Sequence, residues 1–255
     1  MRKFALIGRK LGHSYSQRWF EELFAREGLK DHSYQLVEMP SLEGLREWVQ
    51  REGIGGFNVT VPYKQEVIAY LDELDETAAA IGAVNCVTME KSEFGIQNSE
   101  FKLVGHNTDA PAFLQTIQNS EFRIQNSFIL GTGGAARAVA YALGQLGIPY
   151  TFVSRQPEKH ENTIGYPQLF TSHLSPFTLI VNATPVGMYP DVDATPLDLN
   201  NFQSSIVNCQ FVYDLIYNPS PTLFLRQATT KGARTKDGLE MLHRQAELSW
   251  EWFIS

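Results

Sequence analysis

The stretch SFILGTGGAARAVAYAL, residues 127–143, decides the fold class. Its opening residues form an apolar run of strand length, Gly131, Gly133 and Gly134 supply a turn without side chains, and from Ala135 small apolar residues recur at helical spacing. A strand, a bare turn and a helix in that order let the backbone turn sharply and approach a pyrophosphate, which the unpaired N–H groups of the helix amino terminus attract. Ala135 and Ala136 keep the helix close to the strand. A glycine triplet by itself marks only a tight turn, whereas in this context it points to a dinucleotide.

The end of the next strand, about 20 residues on, normally faces the adenosine ribose. There the chain reads TFVSRQPEK, residues 151–159, with Ser154 and Arg155 where an acid would favour NAD. A guanidinium pairs with a 2'-phosphate, and Lys159 adds a second positive group, so NADP is the expected cofactor. The plain alternative is that both are solvated loop cations.

Working outward, strand-like runs at 178–183 and 211–215 continue this second series. Before it, residues 4–8, 34–37 and 57–61 alternate with helical patterns at 17–26, 42–50 and 64–71. Alternation of this kind predicts parallel strands with crossover helices, hence an α/β protein of two units in tandem. Residues 238–253 read as one helix with Leu239, Leu242, Ala246, Trp250 and Phe253 on one face, which must bury itself, and the first domain is the expected place. The segment SEFGIQNS at 92–99 recurs as SEFRIQNS at 120–127, with IQNSEF again from 117. Copies this short cannot stack as a solenoid, so they read as insertions in two surface connections.

Composition narrows the function. No run approaches the ~20 apolar residues of a membrane span, and MRKFALIG runs straight into Arg9 and Lys10 without a secretory apolar region, so a cytoplasmic location is expected. A net charge of -7 argues against a nucleic-acid surface. Cys86 and Cys209 stand far apart with no paired spacing, which implies neither a metal site nor a disulfide framework.

Polar residues cluster where loops leave predicted strands, the place where open α/β sheets bind ligands. Ser14 and Ser16 follow the first strand as carboxylate donors, although Ser16 also reads as an N-cap. Lys64 falls in the first turn of the predicted helix 64–71, where the helix dipole disfavours a cation, and an ammonium in a cleft polarises a carbonyl or gives up a proton. Asn85 lies within an apolar run read as a strand, and Asp109 at a helix start reads either as a cap or as a functional acid. Gln245 interrupts a second apolar stripe of Met241, Leu248 and Trp252 on the last helix, so its amide needs a partner.

Eight motifs in order carry a resemblance to the shikimate dehydrogenase family: HSYS (13–16), GFNVTVPYK (56–64), GAVN (82–85), NTD (107–109), GTGGAARA (131–138), NATPVGM (182–188), YDLIYNP (213–219) and DGLEMLHRQA (237–246). The resemblance implies an NADP-dependent reduction of 3-dehydroshikimate to shikimate. It implies an amino-terminal α/β substrate domain, 1–107 with 238–255 returning to it, and a Rossmann-like NADP-binding domain, 108–237. Lys64 and Asp109 would be the catalytic pair, facing a nicotinamide across the gap between the domains. Ser14 and Ser16 would hold the substrate carboxylate, with Thr60, Asn85, Tyr217 and Gln245 around the ring. Gly131, Thr132, Gly133, Gly134, Ala135, Ser154, Arg155, Lys159, Leu215 and Gly238 would meet the cofactor, with no metal. The implied partners are the small-molecule substrate and cofactor, with no nucleic acid or membrane, in a monomer or homodimer. The chain departs from the family pattern at Lys10 and Gln17 (usually proline), Thr132 (commonly alanine), Cys86 (threonine), Ala110 and Pro111 (glycine common) and Ser154-Arg155-Gln156 (Asn-Arg-Thr). Two alternatives remain at this stage, a quinate/shikimate dehydrogenase preferring NAD and a catalytically silent sensor of NADP or shikimate. Arg155 weighs against the first, the intact Lys64 and Asp109 against the second.

Overall fold

Successive residues of a strand face opposite sides of its sheet, and in the first strand, β1 (Arg2–Gly8), both sides are apolar. Phe4 and Leu6 join one buried cluster with Phe20, Phe24 and Phe253, while Ala5 and Ile7 join another with Leu45, Val49 and Phe57. A strand buried on both faces belongs inside a layered α/β domain. The computed structural model describes residues 2–12, 14–91, 101–118, 124–171, 178–199 and 209–255. The chain divides into two compact units, Met1–Pro111 with His243–Ser255, and Ala112–Leu242. Among the described residues no helix is long and apolar enough to cross a membrane.

The first unit adds α1 (Tyr15–Arg26), β2 (His32–Glu38), α2 (Leu45–Glu52), β3 (Ile54–Val59), β4 (Glu73–Leu74), α3 (Glu76–Ile81), β5 (Cys86–Lys91), β6 (Phe101–His106) and the start of α4 (Asp109–Gln118). Its sheet runs β2-β1-β3-β5-β6-β4. β1 pairs parallel with β2 and β3, as alternation predicts, but β5 runs antiparallel to both β3 and β6. The predicted helix 64–71 does not form. Residues 61–65 turn, and only Glu66–Tyr70 coil, as a 3-10 helix. The Lys64 carbonyl accepts the Val84 N–H at 2.7 Å, a tertiary bond that takes it out of any helical ladder.

The second unit contains β7 (Asn126–Leu130), α5 (Gly134–Gln145), β8 (Tyr150–Ser154), β9 (Thr163–Gly165), α6 (Tyr166–Thr171), β10 (Thr178–Asn182), β11 (Cys209–Asp214), α7 (Leu223–Thr230) and β12 (Arg234–Lys236). Every strand pairing in it is parallel, and the order β12-β11-β10-β7-β8-β9, counted from its own first strand, is the 3-2-1-4-5-6 order of a doubly wound dinucleotide fold. The switch point of that order lies between β7 and β10.

The last helix, α8 (Leu239–Ile254), buries Ala246 and Phe253 in the first unit, where Phe253 stacks on Phe4 with ring centroids 4.8 Å apart. Gly56 makes room for it, since a Cβ there would stand 2.6 Å from Phe253 Cδ1. Leu239, expected on the buried face, is 36% exposed, while Ser249, further along the helix, is fully buried. The first copy of the repeat, 92–99, and residues 120–123 of the second lie outside the described residues. Of the described part of the second copy, Asn126 and Ser127 belong to β7, where Ser127 is buried, and Ile117 before the copy is buried in α4.

Candidate functional site

Lys64 and Asp109 come from separate loops of the first unit and meet. Lys64 Nζ donates to Asp109 Oδ2 at 2.5 Å, with the two side chains only 16% and 7% exposed. The cap of α4 is not Asp109 but Asn107, whose Oδ1 accepts the Ala110 N–H at 3.1 Å. The Asp109 carboxylate is therefore free of helix duty and turned to the lysine. Asn85 holds its other oxygen, donating from Nδ2 to Asp109 Oδ1 at 3.0 Å and to Thr108 Oγ1 at 2.9 Å. The Thr108 N–H returns a bond to Asn85 Oδ1 at 2.7 Å. Both protons of the Asn85 amide are thus committed inside the protein, which leaves only acceptor capacity on Oδ1.

Behind the pair runs a buried polar chain that the sequence did not reveal. Thr108 Oγ1 lies 3.2 Å from Ser249 Oγ of α8, Asn58 Nδ2 donates to Ser249 Oγ at 2.8 Å, and the Tyr34 hydroxyl donates to Asn58 Oδ1 at 2.8 Å. These groups sit on β2, β3, the loop before α4 and α8, so no sequence period links them. The one local signal was a polar residue inside an apolar run, as at Asn58 in GFNVTV. Cys86 adjoins this chain fully buried; burial pushes its thiol up, which removes it as a nucleophile.

Ser14, rather than Ser16, caps α1: its Oγ accepts the Ser16 N–H at 3.2 Å, which leaves the hydroxyl proton to donate. Tyr15, between the two serines, stacks on His243 of α8, with Tyr15 Oη 2.6 Å from His243 Nε2. The serine loop is thus tied to the helix that carries half-buried Gln245. Thr60 follows β3, with its N–H donating to the Ile7 carbonyl at 2.9 Å. Among the described residues no group of three or more His, Cys, Asp or Glu could hold a metal ion.

In the second unit Gly131 follows β7 with φ +102°, and a Cβ there would meet Thr184 Cγ2 at 3.0 Å, so conformation and packing both require glycine. Gly133 differs. Its φ of -75° is ordinary, and a Cβ would meet no protein atom within 4 Å. Gly134 and Ala135 open α5, and Thr132 Oγ1 lies 3.2 Å from His160 Nε2. Ser154 ends β8, followed by exposed Arg155 and by Lys159 closing a short 3-10 turn. Gly238 is obligatory, since a Cβ would fall 2.0 Å from the Leu215 carbonyl oxygen. Tyr217 is half-buried just beyond β11.

A first unit that buries a lysine–aspartate pair, followed along the chain by a doubly wound unit with a glycine turn, is the build of a two-domain dehydrogenase. Comparison with known proteins narrows the class. Residues 6–87 match the shikimate dehydrogenase substrate binding domain. The shikimate dehydrogenase (NADP(+)) of Caldicellulosiruptor saccharolyticus is 34% identical, over 99% of this chain and 92% of that protein. The crystal structure of shikimate dehydrogenase 1 from Peptoclostridium difficile superposes with a TM-score of 0.84 at 36% identity, covering 100% of this chain and 92% of that one. The Thermus thermophilus shikimate 5-dehydrogenase in complex with NADP(H) and shikimate gives 0.81 at 32%, over 99% and 93%. The chain belongs to the shikimate dehydrogenase family.

Proposed function

We propose that this chain reversibly reduces 3-dehydroshikimate to shikimate with NADPH, the step of aromatic amino acid synthesis that sets the ring hydroxyl, in the cytoplasm. The observation that carries the reading is the Lys64–Asp109 pair at 2.5 Å, aligned by Asn85. NADPH, when bound, supplies the hydride to the ring carbonyl carbon. Lys64 holds the proton that goes to the carbonyl oxygen, and Asp109 fixes where that proton sits. The bound Asn85 amide keeps Asp109 in place, with its Oδ1 left to accept from a ring hydroxyl. Ser14 and Ser16 receive the substrate carboxylate, the free Ser14 proton donating to it, while Thr60, Tyr217 and Gln245 hold the rest of the ring.

The residues fit the cofactor. Neither conformation nor packing explains the bare Gly133, but a pyrophosphate approaching the amino terminus of α5 does. Arg155 at the end of β8, with Lys159, meets the 2'-phosphate, which favours NADP over NAD and shikimate over the NAD-linked oxidation of quinate. Absorbance growth at the nicotinamide band with shikimate and NADP tests the proposal. A preference for NAD with equal use of quinate would defeat it.

A further inference from the structure

We infer that Asp214 is a positioning residue for cofactor binding: its buried carboxylate ties the loops after β10 and β11 together and so sets the surfaces at Gly131, Leu215 and Gly238. The inference rests on the NADP reading above and concerns the second unit alone.

Asp214 ends β11 with no exposed surface. Asn182 Nδ2 and the Ile216 N–H donate to its Oδ1 at 2.9 and 3.1 Å, and the Thr222 hydroxyl donates to Oδ2 at 2.7 Å. The three donors come from the end of β10, the turn after β11 and the N-cap of α7. A carboxylate accepts from all three at once, whereas an amide in its place keeps one acceptor oxygen and turns its NH2 to the Thr222 hydroxyl, which must then accept and give up the bond it donates. Burial pushes Asp214 up to about 6, and the charge that acts on it is another carboxylate, Asp237, which adds a smaller push in the same direction. A fold indifferent to these loops would place a neutral group here, because an ionised one costs stability.

Two routes lead outward from it. Asn182 Oδ1 accepts both the N–H and the hydroxyl of Thr184, at 3.0 and 2.7 Å, and the Thr184 hydroxyl accepts the Val186 N–H at 3.3 Å. Thr184 is the residue against which Gly131 packs, so this route ends on the glycine turn at the switch point. In the other direction Ile216, held through its N–H by Asp214, accepts the Gly238 N–H at 3.1 Å. Leu215, between Asp214 and Ile216, donates its N–H to the Asn182 carbonyl at 3.0 Å. One buried carboxylate thus braces three separate cofactor-facing segments without being one of them.

The test is Asp214→Asn in the full chain, read by NADPH fluorescence titration, steady-state kinetics and thermal unfolding at pH 7. The expected result is a Kd for NADPH and a KM for NADP raised about tenfold, a KM for shikimate within twofold of wild type, and no fall in the unfolding midpoint, since a buried charge has been removed. A lowered midpoint with an unchanged Kd would make the role merely structural and overturn the inference. Should Asp214→Asn not fold, Thr222→Val removes one of the three donors and is expected to raise the Kd severalfold, with Thr222→Ser restoring it; no change in Thr222→Val would likewise sink it. A wild-type chain that binds NADPH but leaves shikimate untouched would defeat the proposed reaction while the Kd comparison still decides the role of Asp214. A wild-type chain that does not bind NADPH overturns both.

Discussion

Among the described residues each unit of this protein buries one aspartate at its polar centre, and the two carboxyl groups are held by different partners. Asp109 faces an ammonium at 2.5 Å and an amide at 3.0 Å, whereas Asp214 faces only neutral donors, two from N–H groups and one from a hydroxyl. A cation repays much of the desolvation of a buried carboxylate, but it also gives the site a proton to move. Neutral dipoles repay less and move nothing. Under the proposed function the first centre moves a proton, and the inferred task of the second is to hold loops in place.

The strongest way to break that division is to remove the ammonium. Lys64→Ala is expected to lower kcat by about 100-fold or more, the scale of lost acid–base catalysis. Near wild-type turnover would leave the first centre as inert as the second.

The pH dependence of stability sharpens the second half. For a carboxylate whose folded pKa lies above its unfolded value, the folded state binds the proton more tightly. Its favourable contribution is therefore complete below the unfolded value of 3.8 and is lost as pH rises through about 6. The full difference is on the order of 3 kcal/mol. Denaturant unfolding of wild type against Asp214→Asn should show the variant gaining on wild type by up to that amount between pH 4 and pH 7. A flat difference across that window would mean the charge is held without cost and erase the contrast.

The smallest expected effect concerns a charge in neither centre. Arg155→Ala is expected to raise the KM for NADP by about tenfold, worth ~1.4 kcal/mol, and to leave that for shikimate nearly unchanged. An equal rise in both would put Arg155 outside the 2'-phosphate site.

What could be read from the chain followed the range of each interaction. The glycine turn and α5 were legible because strand, turn and helix are contiguous and each obeys its own period. The two α/β series were legible for the same reason, as was the helix start at Asp109, whereas Asn85, read within a strand, lies just before β5. β5 was not, since nothing in CVTMEK marks it as running against both its neighbours. The helix expected at 64–71 failed because Val84, 20 residues on, claims the Lys64 carbonyl, and the dipole argument for Lys64 failed with it. Asn85 was legible as a buried amide needing partners, but not that those partners would be Thr108 and Asp109. The NATPVGM and YDLIYNP segments could be recognised as motifs, while the Asn182–Asp214 bond spans 32 residues and no local pattern announces it.

The hydroxyl of Ser249 stands midway along the polar chain behind Lys64 and Asp109, yet it arrives on α8, 141 residues after Thr108. During synthesis, β1 to β6 leave the ribosome without the residue that joins Asn58 to Thr108 and without the ring that covers Phe4. The second unit, inserted in the sequence ahead of α8, has its full complement of strands first. A chain cut short before Ser249 would hold the lysine and the aspartate without the hydroxyl that joins Asn58 to Thr108 behind them.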